Sequence, residues 1–344
     1  MLKTTALFCL AVLLAGCSGD ARETLVVYSP HGKEMLSRYE DAFERLHPDV
    51  NVQWIDMGGQ DAYDRIRTER QNPQASLWWG GDGPTFDRAA REGLLEPYVP
   101  SWADAVPDDA HHPEHFWYAT YLTPEVIMYN SRTLAAGDAP KDWDDLLDPK
   151  WADRIIVRYP LASSTMRTIW GAMIMRQPTV EDGYAWLARL DANTKTYTAD
   201  PTQLYLKIAR EEGDVTLWNM PDTYIQTEIN GYPFDFVVPA SGTPVLNDGI
   251  ALVKNGPNLE RAKQFYEFVT SDSALVEQAR AFYRIPVRTD LDPALLPEWI
   301  TRAEIRAMPI DWERLTMEGA KWMQYWDEHI KGRGAEWLRE HGRE

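Results

Sequence analysis

Cysteine is nearly absent from this 344-residue chain: there are two, Cys9 and Cys17. Cys9 lies inside an apolar leader, so the chain that follows has no pair of thiols. Disulfides, cysteine-type zinc sites and cysteine nucleophiles are thereby excluded. Positive charge is also scarce, with 35 Lys and Arg against 53 Asp and Glu, a net charge of −18. That balance argues against a nucleic-acid partner. No apolar run is long enough to span a membrane as a helix. There is no G-x-S-x-G elbow, no P-loop and no G-x-G-x-x-G. One metal-like pattern is present, His111-His-Pro-Glu-His115. It matches H-x-x-E-H, whose two histidines must share a helix face, and Pro113 breaks that geometry. It reads as a solvated loop. A secreted hydrolase using this loop is the competing class of function, and no Ser-His or paired-carboxylate arrangement supports it.

What is present begins at the N-terminus. Lys3, an apolar stretch from Ala6 to Leu14, and then Leu14-Ala-Gly-Cys17 make a secretory signal. Leu-Ala-Gly-Cys resembles the bacterial lipoprotein box. That resemblance implies cleavage before Cys17, lipid attachment to it, and a Cys17→Ser variant that folds without being lipidated. The residues from Cys17 onward suffice for two lobes with separate cores. Fifteen Trp and sixteen Tyr are many for this length, and most read as packing residues.

Along the chain, Leu25–Tyr28 reads as a strand ended by Ser29-Pro30-His31-Gly32. A helix follows with Leu36, Tyr39, Phe43 and Leu46 on one face. Val50–Trp54 is a second strand broken by Met57-Gly58-Gly59-Gln60, and Asp61–Gln71 a second helix. Ala75–Trp79 is a third strand ended by Gly80-Gly81-Asp82-Gly83, before a helix over Thr85–Glu92. This alternation implies a parallel sheet covered by helices, with ligands beyond the carboxyl ends of the strands. If the third strand alternates, one of Trp78 and Trp79 is core and the other faces the cleft. Tyr118–Asn130 is extended, with Thr123-Pro124 in its middle. A second series follows: strand Arg154–Arg158, a helix opened by Ser163, strand Thr194–Tyr197, Asp200-Pro201-Thr202, strand Val215–Trp218, and strands at Phe234–Pro239 and Asp248–Lys254. Asn258–Thr270 is an amphipathic helix, and the tail beyond Pro286 reads as Trp-rich helices.

The most informative stretch is Leu161–Trp170. Ser163, Ser164 and Thr165 sit where a strand hands over to a helix N-terminus, whose free N–H groups and dipole favour an anion. Arg167 adds a fixed positive charge one turn in. The plainer reading is an N-cap, which serine favours anyway.

Taken in order, Leu25-Val-Val-Tyr-Ser-Pro-His-Gly, Asn72-Pro-Gln-Ala-Ser-Leu-Trp-Trp-Gly-Gly, Thr123-Pro-Glu-Val, Pro239-Ala-Ser-Gly-Thr-Pro-Val, Gly249-Ile-Ala-Leu-Val-Lys and Ala262-Lys-Gln-Phe-Tyr-Glu-Phe-Val resemble the type II periplasmic solute-binding proteins of ABC transporters. The branch is the one holding ferric-ion, phosphonate, sugar-phosphate and thiamine binders. The resemblance implies an α/β fold of two doubly wound lobes joined by two crossing segments, near Tyr121–Val126 and Val238–Val245. On that basis residues 1–16 are the signal, 17–121 with 245–285 the first lobe, 122–244 the second, and 286–344 a helical tail. It further implies a monomer in the periplasm or cell envelope, anchored by lipid at Cys17, that delivers a small ligand to permease subunits, with no cofactor and no catalysis. Candidate ligand contacts are Ser29, His31, Gly59, Trp79, Gly80 and Gly81 on the first lobe. On the crossing and the second lobe they are Thr123, Ser163, Ser164, Thr165, Arg167, Thr202, Trp218, Asn219 and Asp222. Ferric binders of this branch use adjacent tyrosines, and Leu217–Tyr224 has no such pair. An organic anion bearing phosphate, phosphonate or carboxylate is therefore expected, held by Ser163–Thr165 and Arg167, with Trp79 or Trp218 covering an apolar part. Ferric ion is the alternative.

Overall fold

The structure is a computed structural model and describes residues 21–302 and 305–343. The leader and Cys17, with the expectations placed on them, lie outside the described residues. Strand β1 (Glu23–Ser29) is followed by α1 (Lys33–Leu46), β2 (Val50–Asp56), α2 (Gly59–Thr68), β3 (Leu77–Asp82) and α3 (Gly83–Arg91). β1 pairs in parallel with both β2 and β3. Helix α1 buries Met35, Leu36, Tyr39 and Phe43, spaced by helical turns against the sheet. A two-residue strand β4 (Leu95–Glu96) and a loop lead to β5 (Tyr118–Asn130).

β5 is the spine of the molecule. Its residues up to Pro124 pair with a later strand of the first lobe, and those from Glu125 pair with strands of the second. Proline has no N–H to give a ladder, so Pro124 suits the point where β5 exchanges one set of neighbours for another. The second lobe contains β6 (Ile155–Arg158), α4 (Ser164–Met175), α5 (Val180–Asn193), β7 (Thr194–Thr198), α6 (Pro201–Ala209), β8 (Val215–Asn219), α7 (Met220–Tyr224) and β9 (Phe234–Val237). The chain returns through β10 (Val245–Val253), α8 (Leu259–Val269), α9 (Asp272–Phe282) and β11 (Ile285–Pro286).

The strands follow one path, β2-β1-β3-β10-β5-β8-β6-β7, with β4, β9 and β11 attached at its sides. An all-parallel sheet is not what forms. The parallel sets β2-β1-β3 and β8-β6-β7 are joined by β10 and β5, which run antiparallel to their neighbours because they carry the chain between lobes. Two large apolar cores result, one under each set, with a small cluster of Val126, Met220 and Ile285 between them.

After β11 come α10 (Glu298–Arg302), α11 (Trp312–His329) and α12 (Gly334–Glu340). The tail makes a third crossing: Thr243 and Met308 exchange backbone contacts as Thr243 N–H to Arg306 O (2.8 Å) and Met308 N–H to Thr243 O (2.7 Å). Trp322, Met323 and Trp326 of α11, with Trp337 and Leu338 of α12, then join the second core. Leu315 lies so close to Gly171 of α4 that a Cβ there would meet its Cδ1 at 2.2 Å. That glycine is what lets α11 seat.

Candidate functional site

A cleft of about 400 Å³ lies between the lobes. The carboxyl ends of β1, β2 and β3 and the turns after them supply Pro30, His31, Asp56–Gly59, Gly81 and Asp82, and later parts of the first lobe add Asp248 and Arg284. The second lobe supplies Arg158, Ala162–Thr165, Pro201, Trp218, Asn219 and Asp222, while Thr123 and Leu246 of the crossing strands are also exposed to it. Most of these residues sit at carboxyl ends of strands, where an α/β sheet leaves a crevice.

The N-terminus of α4 opens onto this cleft. Ser163 is extended (φ −143°, ψ 121°), and its Oγ accepts a bond from the Met166 N–H at 3.3 Å. Ser164 and Thr165 occupy the first turn, where no intrahelical acceptor exists for their N–H groups. The cap and the anion seat are thus compatible, because the cap uses the Ser163 hydroxyl and leaves those two amides free. Arg158, at the end of β6, donates from Nη2 to Ala162 O (2.9 Å) and so fixes the loop before α4. Its Nε is buried and has no partner among the described residues. Burial pushes its pKa down, yet a guanidinium keeps its charge in proteins.

His31 is 7% exposed, with Nδ1 3.0 Å from Ser29 Oγ, and Nε2 3.2 Å from Tyr121 Oη and 3.4 Å from Asp248 Oδ1. Burial lowers its pKa despite Asp248, which acts the other way, so the ring favours the neutral form. The unfolded chain takes up a proton near the ordinary value of 6.5 that the native protein resists. Stability should therefore fall as the pH drops below 6.5. Melting temperature followed from about pH 8 down to 5 should show this decline, and His31→Asn should flatten it. An unchanged slope in the variant would put the acid sensitivity elsewhere. Glu125 is fully buried beneath Asn219, its register partner. Neither carboxyl oxygen has a partner with hydrogen-bond geometry among the described residues. Burial first, then Asp222, pushes its pKa well up, while the nearby Thr165 side chain pulls the other way without the geometry of a full bond.

Several expected contacts are placed elsewhere. Arg167 does not line the cleft: three residues into α4 it points along the helix side, donating to Gln60 Oε1 (2.9 Å) and Leu161 O (2.6 Å). Gln60 Oε1 also accepts from Arg88 Nη2 (2.9 Å), so one amide oxygen ties α2 and α3 to α4 across the lobes. Trp79 is fully buried, as is Trp78, because every residue of β3 is covered on both faces. It packs edge-on against His31 (4.9 Å) and Tyr39 (5.6 Å). Ser29 is buried behind His31, and Thr202 is exposed on α6 while Pro201 faces the cleft. Gly80 is also off the lining. At φ +109° it lets the Pro30–His31 turn approach, since a Cβ would meet Pro30 Cδ at 2.4 Å and His31 Nε2 at 2.7 Å. His31, Gly59, Gly81, Thr123, Ser163, Ser164, Thr165, Trp218, Asn219 and Asp222 come together at the cleft. Arg158, Asp56, Asp82, Asp248 and Arg284 join them without having been named as ligand contacts. A charge closing an apolar parallel strand was a usable signal for Arg158; Arg284 had none. Asp248 also supplies the carboxylate beside His31 that the sequence did not reveal. The His111–His115 pattern is a loop in which His111 and His115 stack on Tyr118. No group of three His, Cys, Asp or Glu among the described residues is arranged to hold a metal ion.

The chain is similar to known proteins over most of its length. A probable ABC transporter periplasmic-binding protein of Sinorhizobium fredii is 25% identical over 328 residues, covering 91% of this chain and 88% of its own. A Salmonella typhimurium relative, named for binding 2-aminoethylphosphonate in the periplasm, is 27% identical over 304 residues, 85% of this chain and 88% of its own. The solved structure of the periplasmic binding protein AfuA from Actinobacillus pleuropneumoniae, with fructose-6-phosphate bound, superposes with a TM-score of 0.78 at 24% identity over 90% of this chain and 99% of that one. Residues 80–316 match the bacterial extracellular solute-binding protein family, and the chain belongs to that family, as a solute-binding protein of the ABC-transporter type.

Proposed function

We propose that the protein captures a small organic anion bearing a phosphate, phosphonate or carboxylate between its lobes and delivers it to an ABC permease, held at the envelope by lipid on Cys17. The observation that supports this most directly is the pairing of the α4 N-terminus with Arg158, whose buried Nε has no partner among the described residues. Free amides and a guanidinium with one unmatched N–H line the same cleft, and an oxyanion satisfies both. Trp218 stands beside them, with the Arg158 guanidinium 6.0 Å from its ring, and offers an apolar wall. The similarity to a relative named for 2-aminoethylphosphonate is in keeping with this chemistry. Ferric ion, the alternative, calls for anionic oxygen ligands. Tyr224 is turned away from the cleft, stacked on Tyr283 at 4.9 Å and against Trp299.

Native mass spectrometry of protein purified without denaturation should reveal a co-purified organic oxyanion. Titration calorimetry should show binding of 2-aminoethylphosphonate or inorganic phosphate, and X-ray scattering a smaller radius of gyration on saturation. A visible Tyr-to-Fe charge-transfer band with ferric citrate, and no heat with either oxyanion, would replace this reading with the ferric one.

A further inference from the structure

Arg284 lines the cleft from the first lobe and is 6% exposed. It leaves the end of α9 through Tyr283, which holds a left-handed φ of 53°, and its backbone N–H returns to Gln278 O (3.3 Å). Its guanidinium carbon stands 5.5 Å from the centre of the Tyr121 ring. Among the described residues its Nε has no acceptor and no carboxylate lies within ion-pair distance. Burying a charge without a partner is costly, and arginine cannot escape by losing its proton.

Three of the four acids of the cleft are engaged elsewhere. Asp82 Oδ1 accepts from the Thr85 N–H and hydroxyl, both at 2.8 Å, as the cap of α3. Asp222 Oδ2 accepts from Asn219 Nδ2 at 3.0 Å. Asp248 Oδ1 takes the Gly81 N–H at 3.3 Å and faces His31. Asp56 remains at the exposed mouth. The cleft thus holds two guanidiniums with buried, unmatched Nε groups, Arg158 on one lobe and Arg284 on the other.

The geometry points to Arg284 as a second ligand anchor that takes a carboxylate, so that the preferred solute is a phosphonate or phosphate carrying a second anionic group and spans the two lobes. This rests on the oxyanion reading above. The solute's first anion goes to Arg158 and the α4 amides, and its carboxylate meets the fork of Arg284 in a charge-assisted pair. A solute with an ammonium at that end would place like charges together, which costs affinity.

Calorimetry with three probes separates the possibilities: 3-phosphonopropionate, 2-aminoethylphosphonate and ethylphosphonate. The wild-type protein should bind 3-phosphonopropionate at least about tenfold more tightly than 2-aminoethylphosphonate. Arg284→Gln should reduce that ratio to below about threefold, and Arg284→Lys should keep an intermediate ratio because charge survives without the fork. A wild-type preference for the amine, or an unchanged ratio in Arg284→Gln, overturns the assignment while leaving the oxyanion reading in place. Absence of binding by all three probes and by inorganic phosphate removes both. If Arg284→Gln does not fold, the wild-type ratio decides.

Discussion

Arg158→Ala is expected to weaken binding of 2-aminoethylphosphonate or phosphate by roughly 1.5–3 kcal/mol, the range for hydrogen bonds to charged groups. Two losses combine. The Nε and remaining amino group no longer meet the ligand, and the bond from Nη2 to Ala162 O no longer fixes the loop that aims the α4 amides. Arg158→Lys should recover part of the affinity, since a point charge replaces a planar fork. Arg167→Ala is the useful contrast. Its bonds go to Gln60 and Leu161, so it should change affinity only through lobe contact, by about 0.5–1.5 kcal/mol. Calorimetry on both variants is the check. An Arg167→Ala loss larger than that of Arg158→Ala would return the anion seat to the helix side.

Trp326→Ala should cost about 3–5 kcal/mol of folding stability, the usual range for emptying a buried tryptophan site. The indole is fully buried, edge-on to Trp170 at 5.7 Å and to Tyr197 at 5.2 Å. Those partners belong to α4 and β7, so the tail helix is part of the second core. Denaturant unfolding of the variant measures the loss. A change under about 1 kcal/mol, typical of surface substitutions, would mean that α11 is an appendage.

The parts of the fold written in local chemistry were legible. Ser163 as a cap, proline at the first position of α6 after Asp200, and an extended Tyr118–Asn130 with proline at its middle all follow from single residues and their neighbours. Helix α5 was not, because nearly every residue from Gly183 to Asn193 is buried and no polar stripe marks its period. Trp79 misled for a related reason: alternation assigns faces only when one face of a strand meets water. That Arg158 and Arg284 line one cleft was invisible, since 126 positions separate them and only the sheet path brings both there. Arg167 lies elsewhere than expected: a charge near a helix start was credited to the helix end, whereas its side chain lies along the flank.

The interleaving of the lobes also sets an order for folding. The first core needs β1 and also β10, α8 and Val287, and the second needs β6 and also Trp337 and Leu338. Neither core can close until most of the chain exists, so its decisive contacts join residues far apart in sequence. Such topologies fold slowly and leave apolar strands uncovered in the meantime. A chain of this kind leaves both halves unlocked until its later segments are in place.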